Sequence, residues 1–152
     1  MSIGRHREHS MSCQLSHEQV QVRQAREQAR TALSEWGLSE HAELAELIVS
    51  ELATNAIKHG DGPVQVRVSY ARGDLRVDVH DDGAGRPARR PVTPDDETGR
   101  GLALLDDLIG LRGGTREVAN DSAGHGKTVH VTVRLAAGGP SVTDASASTA
   151  QD

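Results

Sequence analysis

The chain has 152 residues, enough for one domain with a substantial core, and its aromatic content is 1%, with no phenylalanine. Its interior must therefore be built from Leu, Val, Ile and Ala. A net charge of −5 argues against general nucleic-acid binding, which relies on neutralising phosphates, and the single cysteine, Cys13, excludes an internal disulfide and a cysteine-based zinc site.

Residues 1–14 read as a flexible leader, with His6, His9 and His17 scattered and solvated. Met1 to Ser10 is basic and polar without an apolar centre, unlike a secretory signal. No apolar run approaches the ~20 residues of a membrane helix, so a cytoplasmic location is expected. Ser16 is placed to cap a first helix running to Trp36, where Gly37 ends it and Trp36 packs. Ser39 is placed to cap a second helix that ends at Gly60.

The second helix carries the first chemical signal. At about 100° per residue, Leu44, Leu47, Ile48 and Leu52 define an apolar arc. Glu51, Asn55 and Lys58 fall within that arc, with His59 at its edge. A helix meant only for packing would continue with leucine or valine. A buried carboxylate without a partner is costly, so Glu51 and Asn55, spaced i, i+4, point to a ligand or a metal ion. The plain alternative is that both reach solvent as the helix leaves the core.

Asp61-Gly-Pro63 turns into a strand over Val64 to Tyr70, and Ala71 to Asp74 is a hairpin turn into Leu75 to His80. Asp81-Asp-Gly83-Ala-Gly85 lies at that strand's end. Glycines there let the backbone approach a ligand, and Asp81 can accept a hydrogen bond from an exocyclic amine. A tight turn uses the same Asp-Gly chemistry. Arg86 to Thr98 has no hydrophobic periodicity, and long loops inside compact domains are usually functional.

Thr98-Gly99-Arg100-Gly101-Leu102 opens a third helix over Leu102 to Leu111. Glycines before a helix leave its N–H groups free for an anion such as phosphate; a flexible loop ending in a cap is the plain alternative. Arg116 to Ala119 and Lys127 to Leu135 read as the last strands. Gly124-His-Gly126-Lys127-Thr128 imitates a phosphate-binding P-loop, but Asp121 stands where its first glycine is needed and a strand follows it. Residues 136–152 are Ala, Ser, Gly and Thr and read as a disordered tail.

The order of these motifs is E-x-x-x-N, D-x-G-x-G, G-x-G-L and G-x-G-K-T. Together they resemble the ATP-binding domain shared by gyrase B subunits, MutL, heat-shock chaperones and histidine kinases, the GHKL or Bergerat fold, over residues 15–135. The resemblance implies an α+β two-layer sandwich: a mixed, mostly antiparallel sheet covered on one face by helices. Glu51-Leu-Ala-Thr-Asn55 looks like the serine-kinase anti-sigma factors; typical histidine kinases have Asn at the position of Glu51.

The resemblance also implies the ligands, ATP and Mg²⁺, and a set of roles. Asn55 would coordinate Mg²⁺, and Glu51 would be the general base. Asp81 would bind the adenine amino group, with Gly83 and Gly85 passing close to the base. Gly99, Arg100 and Gly101, running into Leu102, would wrap the phosphates, and Thr128 would add a hydroxyl near the adenine. The implied partners are a sigma factor and a small anti-anti-sigma protein, whose unphosphorylated form displaces the sigma factor. A homodimer is possible, as in relatives. The loop departs from better-known anti-sigma kinases in carrying Arg86, Arg89 and Arg90 beside three prolines. Two other readings stay open: an ATP-responsive protein-binding module with little or no phosphate transfer, and slow ATP hydrolysis with no protein acceptor.

Overall fold

The computed structural model describes residues 8–16, 20–59, 62–82, 97–120 and 126–135. Three helices, α1 (Val20–Glu35), α2 (Ala42–His59) and α3 (Glu97–Gly110), lie with five strands: β1 (His9–Leu15), β2 (Val64–Ala71), β3 (Asp74–Asp81), β4 (Thr115–Asn120) and β5 (Lys127–Arg134). The strands form one sheet in the order β1-β2-β3-β5-β4, and every neighbouring pair is antiparallel. The architecture is the expected α+β sandwich, with no parallel pair among the described strands.

Strand alternation puts one apolar row on each strand toward the helices. Val64, Val66 and Val68, then Leu75, Val77 and Val79, then Val129, Val131 and Val133 are buried there. Ile48, Val49 and Leu52 of α2 and Leu33 of α1 meet them, as does Leu105 of α3. Ala25, Ala29 and Ala32 of α1 and Ala45, Ala53 and Ala56 of α2 are buried too. Small side chains at these positions let the two helices approach closely without any large ring. The opposite sheet face is polar, with a cross-strand row of Ser12, Arg67, Asp78, His130 and Glu117.

Both helix stops are local chemistry. Gly37 (φ 80°) follows α1, with Leu38 N–H donating to Leu33 O at 2.7 Å and Gly37 N–H to Ser34 O at 3.1 Å. Gly113 (φ 73°) closes α3 by the same pattern, Gly114 N–H donating to Ile109 O at 2.7 Å. The hairpin between β2 and β3 has positive φ at both Arg72 (58°) and Gly73 (89°), as a two-residue type I′ turn requires.

Four expectations change. Residues 9–14 are not leader but belong to strand β1 (His9–Leu15), paired along β2. Met11, Cys13 and Leu15 face the helices and alternate with exposed Ser10, Ser12 and Gln14, a period-two pattern in a polar-looking segment. His9 is half-buried and stacks on Trp36, ring centroids 5.2 Å apart. Ser39 sits inside a 3₁₀ turn (Ser39–His41) and makes no side-chain cap. Helix α3 begins at Glu97, so Gly99 and Gly101 lie within its first turns; a glycine costs a helix only about 1 kcal/mol. The expected disordered tail, residues 136–152, lies outside the described residues, as do residues 1–7 of the leader.

Candidate functional site

The buried arc of α2 is rotated from the one read in the sequence. Ala45, Ile48, Val49, Leu52, Ala53 and Ala56 form its centre, while Leu47 is 37% exposed and Lys58 is exposed. Glu51 and Asn55 are half-buried on the flank that faces α3. The residue that meets Glu51 there is Gly101. A Cβ at position 101 would overlap the Glu51 carboxylate. Any larger residue at 101 would push the Glu51 carboxylate aside, and the contact joins two motifs that are 50 positions apart in the chain.

Asp81 is the last residue of β3 and is 97% buried, its relative exposure being 3%. The antiparallel register puts Val64 and Lys127 on its rung. Gly126 packs against this point: a Cβ there would stand 2.6 Å from Asp81 O, and its φ of 156° suits only glycine. The C-terminal half of α2, the start of α3 and the end of β3 therefore gather at one end of the sandwich. The N-terminus of α3 adds the positive end of a helix dipole and unpaired N–H groups, a natural seat for an anion.

The structure brings Gly101 against Glu51; Asn55 lies one turn further along α2, and Gly99 and Arg100 precede Gly101 in the first turn of α3. Leu102 is half-buried and packs against the core behind them. Gly83 and Gly85 lie outside the described residues. Thr128 is placed elsewhere. It pairs with His80, so its side chain stands on the polar face, away from the helices, with its Oγ1 2.9 Å from His80 Nδ1. His80 Nε2 in turn lies 2.9 Å from Asp82 Oδ1. The residue on Asp81's own rung and face is Lys127, half-buried, which sequence reasoning passed over. The signal was available: with Asp81 inward, strand parity between β3 and β5 settles which of Lys127 and Thr128 shares its side.

The donor set suits a nucleotide. Asn55 offers an oxygen, the ligand type that Mg²⁺ prefers. Among the described residues no group of three His, Cys, Asp and Glu side chains is placed to hold a metal. An ion here would take phosphate oxygens as further ligands, the usual arrangement for Mg²⁺ at a nucleotide. No helix of the described residues is long and apolar enough to cross a membrane.

A family model described as a histidine kinase-like ATPase domain matches residues 15–133. Among solved structures, the chain is similar to the blue-light-activated histidine kinase of Erythrobacter litoralis EL346. The match to that protein has 31% identity and a TM-score of 0.49, covering 64% of this chain and 31% of the other. Its histidine kinase domain matches at 29% identity and a TM-score of 0.47, covering 64% and 46%. The catalytic domain of histidine kinase ThkA matches at 14% identity and a TM-score of 0.47, covering 82% and 96%. The chain thus spans less than half the length of the first two. No curated protein matches it. With the family matched over residues 15–133, which take in the three described helices and nearly all of strands β2 to β5, the chain belongs to the histidine kinase-like ATPase domains, an ATP-binding family.

Proposed function

We propose that this protein is an ATP-dependent serine/threonine kinase of the anti-sigma-factor type, phosphorylating a small anti-anti-sigma partner in the cytoplasm and so controlling a sigma factor. The observation that carries the reading is the Glu51 carboxylate held against Gly101, at the mouth of the phosphate-binding helix. A carboxylate there would repel phosphate unless it had a chemical task. As general base, Glu51 takes the proton of an attacking hydroxyl while that oxygen bonds to the γ-phosphorus and the bond to the ADP oxygen breaks. A histidine acceptor leans less on such a base, since the attacking nitrogen of a neutral imidazole bears no proton to remove.

The other roles in this reading are those that the family resemblance implies. Asp81 receives the adenine amino group, with Gly83 and Gly85 beside the base. The α3 backbone at Gly99, Arg100 and Gly101 holds the phosphates. Asn55 holds Mg²⁺, which neutralises phosphate charge when bound.

The test compares wild type with Glu51→Gln, which keeps size and most hydrogen bonding. ATP affinity by calorimetry should stay within about twofold, while single-turnover loss of the γ-phosphate with the cognate partner falls about 10²–10⁴-fold. Equal turnover in both proteins removes Glu51 from the mechanism. Absence of turnover in both, with ATP-dependent partner binding intact, favours the binding module.

A further inference from the structure

Helix α1 and strand β1 run side by side in opposite directions, and a contact at each end fixes this. At one end Ser16 N–H, just past β1, donates to Gln21 Oε1 in the first turn of α1 at 2.8 Å. At the other end His9, which opens β1, stacks on Trp36, which follows α1. The 16 residues of the helix and the 7 of the strand each span about 23–24 Å, so the two match over their whole length.

β1 is the end strand of the sheet, and β2 is its one partner among the described strands. The other side of its backbone therefore offers N–H and C=O groups to a further strand. Exposed edges are commonly blunted by lysine, proline or an inward charge, and His9–Leu15 carries no Lys, Pro, Asp or Glu.

Beside this edge, on the helix side of the sheet, lies a hollow of about 510 Å³, within the size range of binding pockets. Met11 and Ala32 supply its apolar part, and Gln24, Glu27, Gln28, Thr31 and Glu35 of α1 the rest. Among the described residues no lysine or arginine lines it. At about 100° per residue, Arg23, Arg26 and Arg30 stand about 140–160° round the helix from Gln28, and Arg30 is committed to Glu46 of α2. Arg23 is one turn before Glu27 but does not pair with it. Among the described residues neither Glu27 nor Glu35 forms an ion pair. Glu35 has no arginine one turn away on α1, so its end is the more negative. His9, at that end, is stacked on Trp36 and does not line the hollow.

We propose that the β1 edge and the hollow beside it form a docking site for an extended segment of a protein partner, which adds a strand to β1 and turns lysine or arginine side chains toward α1. Every second side chain of an added strand points to the helix side. A lysine there lays its stem on Met11 and Ala32 and brings its ammonium to Glu35 or Glu27, while the carboxamides of Gln24 and Gln28 accept further hydrogen bonds. The alternate side chains join the polar face beside Ser10, Ser12 and Gln14. The Glu35 end lies by His9, on the rung of Tyr70 and Leu75, whereas Asp81 shares its rung with Val64 and Leu15 at the other end of the strands. The strongest anchor is thus remote from the nucleotide.

The probe is a fluorescein-labelled peptide alternating lysine with threonine over about nine residues, enough to cover β1, read by anisotropy at low salt without nucleotide. Wild type should bind it about tenfold or more tightly than the same peptide with glutamate for lysine. Glu27→Lys with Glu35→Lys, both exposed positions, should lose about tenfold or more of that affinity, with melting temperature and ATP affinity unchanged. Two further probes carry N-methyl groups on alternate main-chain nitrogens, one on the lysines and one on the threonines. An added strand pairs through every second N–H, so one of the two should lose binding and the other keep it.

Equal binding of the two methylated probes, or of the lysine and glutamate peptides, overturns the proposal, as does unchanged binding by the charge variant. A wild-type dimer that the charge variant dissolves overturns it in favour of a second copy of this chain. A gain of about tenfold in probe affinity from Arg5→Glu with Arg7→Glu overturns it in favour of residues 1–7. No nucleotide enters the measurement, so failure of the kinase reading leaves the result intact, and the reverse holds.

Discussion

At the scale of single residues, the proposed adenine role of Asp81, with Lys127 on its rung, makes a prediction about which base is recognised. Asp81 is buried at the end of β3. Its carboxylate accepts from the 6-amino group of adenine but faces the 6-oxo group of guanine as acceptor against acceptor. A mispaired polar group in a pocket costs about 1–3 kcal/mol, roughly tenfold or more in affinity. Wild type should therefore prefer ATP to GTP by that factor in calorimetry, and Asp81→Asn should weaken ATP binding and narrow the preference. Equal affinity of wild type for the two nucleotides would place the base elsewhere. Lys127 shares Asp81's rung, whereas the Thr128 hydroxyl is engaged by His80 on the other face. Lys127→Ala should weaken ATP binding several-fold, by roughly the 1 kcal/mol that a typical hydrogen bond contributes. Thr128→Ala should leave it unchanged. The opposite ordering in the same titration would mean that β5 presents its other face to the nucleotide.

The elements were unequally legible in the sequence. α2, the hairpin and the two central strands showed because their periodicity is long and apolar. β1 was hidden because only Met11, Cys13 and Leu15 carry its inward pattern, and Ser12 and Gln14 stand between them. Its structure comes from pairing with β2, which no local signal announces. The rotation of α2 was misread for a related reason. Alanine counts weakly as apolar, yet Ala45, Ala53 and Ala56 sit at the centre of the buried arc and Leu47 at its margin. The face of Thr128 was legible too: with Val129, Val131 and Val133 inward, alternation along β5 puts Thr128 on the opposite side. The value of β1 can be measured. Leu15 is 3% exposed on β1's last position, opposite Val64. Leu15→Ala should cost about 2–4 kcal/mol in urea unfolding, the range for a buried leucine. No change would mean that the end of β1 adds nothing to the core.

For the whole molecule, the pH dependence of stability follows from two groups that tie α3 and α2 to their surroundings. Burial pushes the His41 imidazole below its ordinary pKa; Glu40 at 3.6 Å pulls it up and Arg112 pushes it down, with burial prevailing. The folded state therefore binds a proton here less readily than the unfolded chain. Stability from this group is present above the unfolded value of about 6.5 and is lost as pH falls through the lower folded value. Asp106 lies lower still on the pH scale. Its two hydrogen bonds from Arg116, at 2.7 and 2.8 Å, hold its carboxyl below the usual range, across the joint between α3 and β4. That contribution is present above about pH 4 and is lost only in stronger acid, and because Asp106 is 43% exposed it is small and screened by salt. The two windows open at different pH, about 6.5 for the histidine and about 4 for the aspartate, so they can be separated by mutation. His41→Asn should flatten the fall in melting temperature between about pH 7 and 5 while leaving the acid limb in place. Asp106→Asn should do the reverse, removing part of the acid limb and leaving the neutral region as in wild type. Melting curves at low salt across pH 3 to 8 test both. A His41→Asn protein that loses stability between pH 7 and 5 as steeply as wild type would show that the neutral-range titration belongs to another histidine.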